Sequence, residues 1–294
     1  MSNKKIVCFG EVLWDLLPSG KIAGGAPMNV AVHANQLGLN ASIISAVGND
    51  ELGEGIKDFL SSRNLAIDNI QTSNDYQTGI VEVTLDEKGS PSYTIIQPVA
   101  WDFIELTDIA QKAVQEADAF VFGSLALRNE VSKNTLFQLQ SLAKLRILDI
   151  NLRKPFYSLE LAKELFTIAD IVKVNDEELE MICTWYGQSG DELSNATYLK
   201  NLYNLKGIIV TRGGNGAFFM DENNEFSEHK GFKVVVNDTI GSGDSFLASF
   251  ITKRLNGASP SQALAFACAV GAFVATQKGA TPIIREEDIL SLMN

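Results

Sequence analysis

The sequence is poor in the residues on which several common chemistries depend. Of 294 residues only three are cysteine and two are histidine. Cys8, Cys183 and Cys268 lie far apart in apolar surroundings, which excludes a disulfide framework or a paired zinc spacing. Buried thiols in a reducing cytoplasm are expected instead. His33 and His229 have no neighbour at ligand spacing, which argues against a histidine metal site and a Ser-His-Asp triad. No apolar run reaches the length a bilayer requires, so no membrane partner is expected. The short apolar run in MSNKKIVCFGEVLWD passes directly into acidic residues and makes a poor signal peptide. Basic charge is also scarce. The 24 Lys and Arg against 36 Asp and Glu leave a net charge of −12 and no basic patch, so nucleic acid is not an expected partner.

The best-known nucleotide motifs are missing as well. GxxxxGK[ST] does not occur, since the one Gly-Lys (Gly20-Lys21) precedes an isoleucine and lacks the upstream glycine. No clean GxGxxG follows a strand, which disfavours a dinucleotide-dependent redox enzyme, and HRD and DFG triplets are absent.

What is present is an alternation. KKIVCFGEV, ASIISAVG, DAFVFGSLAL, RILDINLR, DIVKVN and GIIVTRGG read as strands. They are separated by helical stretches such as GAPMNVAVHANQLG, ELGEGIKDFLSSRN, SKNTLFQLQSLAKL and DEELEMICTWYG. Near-continuous apolar strands alternating with helices predict an α/β fold with a parallel sheet covered on both faces. TGIVEVTLDEKGSPSYTIIQ breaks the rhythm, because period-two alternation on either side of DEKG predicts an antiparallel hairpin. Such a hairpin does not easily join a parallel sheet. With the Leu13–Ala23 segment as partner it would form a small projecting sheet, serving as a lid, a dimer surface or both.

Polar residues gather where the strands should end. The first strand is expected to end at Glu11 and Asp15, another at Asp149, Asn151 and Arg153, and others at Asn175 and Thr211. Ligands of open α/β sheets bind beyond the strands' carboxyl ends. Singly, each has a plainer explanation: Asn175 as a helix cap, Arg153 as a surface charge, Gly213 and Gly214 as turns. Near the C-terminus, Val234–Val236 reads as a buried strand running through Gly241-Ser242-Gly243-Asp244 into a helix carrying Phe246, Leu247, Phe250 and Ile251 on one face. A glycine turn before a helix leaves unpartnered amides, an anion site in waiting. The plain alternative is that Asp244 or Ser242 caps that helix.

GGAPMNVAVHANQLG (24–38) and DTIGSGDSFLASF (238–250) resemble the two signature regions of the ribokinase-like, PfkB-type carbohydrate kinases. The likeness extends nearly end to end through GEVLWD, GNDELGEG, GSLAL, DINLR, VNDEELE, VTRGGNG and GATP, and is nearest to fructokinases. It implies a three-layer α/β sandwich with a mostly parallel central sheet, one domain over residues 1–294, and a β lid from about 13–23 and 77–97. It implies an ATP-dependent kinase whose substrate is a sugar, with fructose the acceptor that the nearest relatives suggest. By match, Asp244 is the general base, and the amides of Gly241, Ser242 and Gly243 form the anion hole. Asp15, Gly25, Asn29 and Arg153 contact the sugar, and Thr211, Gly213, Gly216 and Cys268 lie along the nucleotide. Asn175 and Glu178 organise Mg2+, and K+ binds near the DT segment in many relatives. A homodimer through the β lid is a further implied arrangement.

Three positions depart from the family pattern. Ser242 stands where alanine is common, Cys268 where many relatives place asparagine, and Asn237 where an apolar residue is usual. The acceptor alternatives are ribose, a nucleoside or 2-keto-3-deoxygluconate. From another class, the chain could be a catalytically silent sugar-binding relative, which the intact Asp244 and glycine loop argue against.

Overall fold

The computed structural model describes residues 4–17, 20–85 and 91–293. Its strands are β1 (Lys5–Phe9), β2 (Leu13–Leu17), β3 (Gly20–Gly24), β4 (Asn40–Gly48), β5 (Ile70–Ser73), β6 (Gly79–Leu85) and β7 (Pro91–Ile95). They continue as β8 (Ala119–Gly123), β9 (Arg146–Asp149), β10 (Ile171–Asn175), β11 (Gly207–Thr211), β12 (Ala217–Asp221) and β13 (Phe226–His229). The first helices are α1 (Ala26–Gln36), α2 (Glu51–Ser62), α3 (Asp108–Glu116), α4 (Glu130–Leu139) and α5 (Leu159–Ile168). Then come α6 (Asp176–Trp185), α7 (Glu192–Leu202), α8 (Ser242–Leu255), α9 (Pro260–Thr276) and α10 (Glu286–Met293).

Nine strands form one sheet in the order β13-β12-β11-β10-β9-β8-β1-β4-β5, parallel throughout except that β12 runs against both its neighbours. Alternate residues of β1 go to opposite faces, as a pleated strand requires. Val7 and Phe9 join the apolar layer under α3 to α7, whereas Ile6 and Cys8 join the layer under α1, α2, α8 and α9. The three cysteines are free and buried. Among the described residues no helix is long and apolar enough to cross a membrane.

The chain leaves β1 toward β4 on one side and β8 on the other, which opens a crevice at the carboxyl ends of β1 and β8. The second sheet, β3-β2-β6-β7, stands apart, with β2 and β6 parallel and the other pairs antiparallel. Its base is anchored by Trp14, whose Nε1 donates to the Leu52 carbonyl at 2.9 Å. The expected hairpin and its Leu13–Ala23 partner thus occur, while residues 18–19 and 86–90 of that expectation lie outside the described residues.

Two expectations need correction. Asp15 does not end the first strand: β1 stops at Phe9, Gly10 turns the chain at φ 142°, and Asp15 lies mid-strand in β2. Val234–Val236 is not a buried strand. The segment has no ladder partner, and Val235 and Val236 are 89% and 58% exposed. Its β-branched run satisfies the local pattern, but β13 already ends the sheet and no further neighbour is offered.

Candidate active site

The glycine turn before α8 sets the geometry of the site. Gly241 is left-handed at φ 77°, and a Cβ there would overlap the Ala280 carbonyl oxygen, so only glycine fits. No side chain caps the helix. Ser242 Oγ donates to the Gly271 carbonyl on α9 at 3.0 Å, and Asp244 Oδ2 accepts from Asn29 Nδ2 at 2.8 Å. The capping alternative therefore fails for both residues. The Ser242 amide donates to the Thr239 carbonyl at 3.2 Å and the Ser245 amide to the Gly241 carbonyl at 2.8 Å, which leaves the Gly243 and Asp244 amides as the ones open to an anion.

A cleft of about 410 Å³ opens beside this turn. Thr211, Gly213 and Gly216 line it from the β11–β12 side, Ser242 and Gly243 from α8, Cys268 from α9, and Asn175 from the end of β10. Val234 and Val236 form its lip, which accounts for the valines that are missing from the sheet. Gly216, at φ 84°, has no room for a Cβ because the chain at His229–Gly231 passes against it.

Asn175 and Glu178 do not face the cleft together. They form a reciprocal capping box at the start of α6, Asn175 Oδ1 accepting the Glu178 amide at 2.7 Å and Glu178 Oε2 the Asn175 amide at 2.9 Å. Glu178 Oε1 accepts the Leu152 amide at 2.8 Å, and the residue is 7% exposed. Its carboxylate retains lone pairs beyond those two bonds. Oxygen is the ligand type magnesium takes, and magnesium keeps most of its waters. That fits an arrangement with few protein ligands, since no group of three His, Cys, Asp or Glu among the described residues could hold a metal ion.

On the other side of Asp244 stand the expected sugar contacts. Asn29 is 4% exposed on α1, and Gly25 precedes that helix at φ 116°, where a Cβ would overlap the Glu11 carbonyl oxygen. Asp15 points toward Gly24: a Cβ there would lie 2.8 Å from Asp15 Oδ2. Arg153 is exposed, makes no ion pair with a described carboxylate within 4 Å, and acts electrostatically on Glu11, Asp15 and Asp244.

Burial sets the acidities. It pushes Asp244 up to about 6, with the Asp149 carboxylate adding to the rise and the Asn29 hydrogen bond, Lys173 and Arg153 opposing it. Burial likewise raises Asp15 to about 6 against the pull of Arg153. Glu178 is raised, by burial first, with Lys173 opposing.

Lys173 carries no mark of function in the sequence pattern beyond its place inside the apolar run IVKVN. Its Nζ donates to both Asp149 oxygens at 2.9 Å, and a Cβ on Gly243 would sit 3.5 Å from it. Burial alone would lower its pKa, but Asp149, Glu178 and Asp244 outweigh that and hold the ammonium charged. A cation thus lies beneath the glycine turn.

The arrangement is one buried carboxylate, largely ionised at neutral pH, held by Asn29 and directly following the glycine turn that lines the cleft. Across 98% of the chain and 91% of the relative, the sequence is 31% identical to probable fructokinase-7 of Arabidopsis thaliana. An uncharacterized sugar kinase of Pyrococcus horikoshii, solved in complex with ATP, superposes with a TM-score of 0.81 at 30% identity over 97% of each chain. Fructokinase of Vibrio cholerae, solved with fructose, ADP and calcium, shares the fold with a TM-score of 0.84 at 24% identity over 99% of each chain. Residues 4–287 match the pfkB family carbohydrate kinases, and the chain belongs to that family of enzymes, which phosphorylate sugar hydroxyls.

Proposed function

We propose that this kinase transfers the γ-phosphoryl of ATP to fructose, giving fructose 6-phosphate and ADP. The observation that carries the reading is the buried Asp244 carboxylate, held by Asn29 and next in the chain to Gly243, which lines the cleft. ATP lies along Thr211, Gly213, Gly216 and Cys268, with its phosphates toward Gly243. Asp15, Gly25, Asn29 and Arg153 bind the sugar. Asp244 accepts the proton of the attacking hydroxyl as its oxygen bonds to phosphorus and the bond to the ADP oxygen breaks. The amides of Gly241 and Gly243, with Lys173 beneath them, stabilise the charge on the transferring group, and that of Ser242 joins them on leaving the Thr239 carbonyl.

Glu178 and Asn175 would hold magnesium, and the ion would supply charge neutralisation on the phosphates. Asp238 stays available to a potassium ion near the DT turn only through lone pairs left after its bonds to the Ile240 and Gly279 amides. The β2-β3-β6-β7 sheet acts as a lid that excludes water. We place the enzyme in the cytoplasm, in keeping with its free buried thiols. We further assign the lid as a homodimer surface, and a monomer in equilibrium sedimentation would remove that assignment.

The test is ADP release against fructose, ribose, nucleosides and 2-keto-3-deoxygluconate, with and without added potassium. The unpaired Arg153 suits an acid-bearing acceptor, so the last compound is the chief rival. Fructose should give the highest kcat/KM; preference for the keto acid would replace it as the acceptor.

A further inference from the structure

One buried carboxylate takes no part in binding the substrates or in moving the proton and phosphoryl group. Glu11 lies between β1 and β2 and is 4% exposed. Its Oε1 accepts the Ala26 amide, the first of α1, at 3.2 Å. Its Oε2 is buried without a hydrogen-bond partner. A small cavity of about 10 Å³ adjoins it, lined also by Pro27, Ser124, Asp149 and Asn151. Its surface is almost wholly apolar, Ser124 Oγ donates to the Ile150 carbonyl and both Asp149 oxygens accept from Lys173, so the space offers Oε2 no ready partner.

The start of α1 depends on Glu11 twice. Gly25, its N-cap, offers no side chain, and the Glu11 carbonyl blocks any replacement there. The Glu11 carboxylate supplies an acceptor to the N1 amide of Ala26 at a helix start with no side-chain cap. One turn later the Asn29 amide donates to the Gly25 carbonyl at 2.8 Å, and the Asn29 side chain holds Asp244. Slack in this first turn would be transmitted directly to the Asn29–Asp244 contact.

We propose that Glu11 is a positioning residue for phosphoryl transfer: it caps α1 from outside the helix. By its bond to the Ala26 amide it fixes the first turn of α1, keeping Asn29 against the base. The proposal rests on the reading of Asp244 as that base.

Asp244 is faced by Asn29 from α1, Asp149 from β9, Lys173 from β10 and Arg153 from the connection after β9, while Glu11 is faced by Arg153 and Asp244. Burial holds the Glu11 proton to about pH 7, above the value of about 6 for Asp244, so Glu11 is largely neutral while Asp244 titrates. A neutral carboxyl still accepts from Ala26. Loss of Glu11 therefore acts on Asp244 through the position of Asn29 more than through charge. The Asn29 bond favours the ionised carboxylate, so weakening it raises the pKa of Asp244.

The experiment compares Glu11→Ala and Glu11→Gln, with Asp244→Asn as control, in kcat, the pH profile of kcat/KM, and ATP affinity. Glu11→Ala should lower kcat by about ten- to a hundredfold, the cost of a small misplacement. It should also move the acid limb upward and leave ATP affinity near that of wild type. Glu11→Gln keeps an acceptor for Ala26, so it should restore most of the lost kcat. An Ala variant with lower thermal stability but unchanged kcat and acid limb overturns the proposal. If Ala does not fold, a Gln variant that binds ATP normally but loses about tenfold or more in kcat overturns it as well. Near-normal turnover in Asp244→Asn instead overturns the base assignment on which it rests, whatever the Glu11 variants do.

Discussion

Asn29 Nδ2 donates to Asp244 Oδ2 at 2.8 Å, joining the first helix to the eighth across 215 positions of sequence. The bond favours the ionised carboxylate and offsets part of the rise caused by burial. Because a base must be deprotonated to act, kcat/KM should fall as pH drops through about 6, the value at Asp244. Asn29→Leu removes a hydrogen bond to a charged group, so the acid limb should move up by about one to two pH units. Steady-state kinetics between pH 5 and 9 check this, and an unmoved limb would assign it to another group.

Asp15 sits in the lid strand β2, paired with Ile22 of β3 and Val81 of β6. A sugar hydroxyl bound to Asp15 therefore couples directly to the lid. Asp15→Ala should lower kcat/KM for fructose by about ten- to a hundredfold, from the cost of leaving a bound polar group without its partner. ATP affinity without sugar should scarcely change. In wild type, saturating fructose should protect β6 amides from hydrogen exchange, and the variant should lose that protection at the same fructose concentration. Exchange that ignores fructose in wild type would leave the small sheet a static surface.

Glu178→Gln separates a metal role from a capping role. Both carboxylate oxygens accept backbone amides, so glutamine must turn an NH2 group toward an N–H, and α6 should lose about 1–3 kcal/mol of stability. A purely capping Glu178 would show only a lower melting temperature. A magnesium role adds a higher magnesium requirement and a lower kcat at little change in fructose KM. Both are read from a magnesium titration below the melting range, and the variant should show them.

The glycine turn before α8 is legible in the sequence because Gly241-Ser242-Gly243 depends on local chemistry. Cys268, on the cleft wall, has no such local mark and is reached only through the family resemblance. The rest depends on partners distant in the chain. The Asn29–Asp244 bond, the Lys173–Asp149 pair beneath Gly243 and the Glu11 cap of α1 each join segments that no local pattern connects. GEVLWD carries no mark of where β1 ends and β2 begins, so its pattern puts Asp15 in the wrong strand. Val234–Val236 looks like a strand and is not one, because β-branched residues favour strands only where a neighbouring strand exists.

The buried base should be costly to stability. The folded pKa of Asp244, about 6, exceeds the ordinary value of 3.8, so ionisation in the fold is disfavoured. The penalty is absent below about pH 4, grows as pH rises to about 6 and is constant above, on the order of 3 kcal/mol. Asp244→Asn avoids it. The variant should melt above wild type at pH 8, and the difference should disappear near pH 4. Equal melting at pH 8 would mean that Asp244 is better solvated than its burial indicates.

The central claim is that Asp244 takes the proton of the sugar hydroxyl, and single-turnover phosphorylation of fructose by Asp244→Asn tests it most directly. With both substrates bound, the chemical step should be slowed by about 100-fold or more, the contribution typical of a general base. ATP and fructose affinities, measured by calorimetry on the same preparation, should stay close to wild type. A variant that phosphorylates fructose at near wild-type rate would contradict the claim.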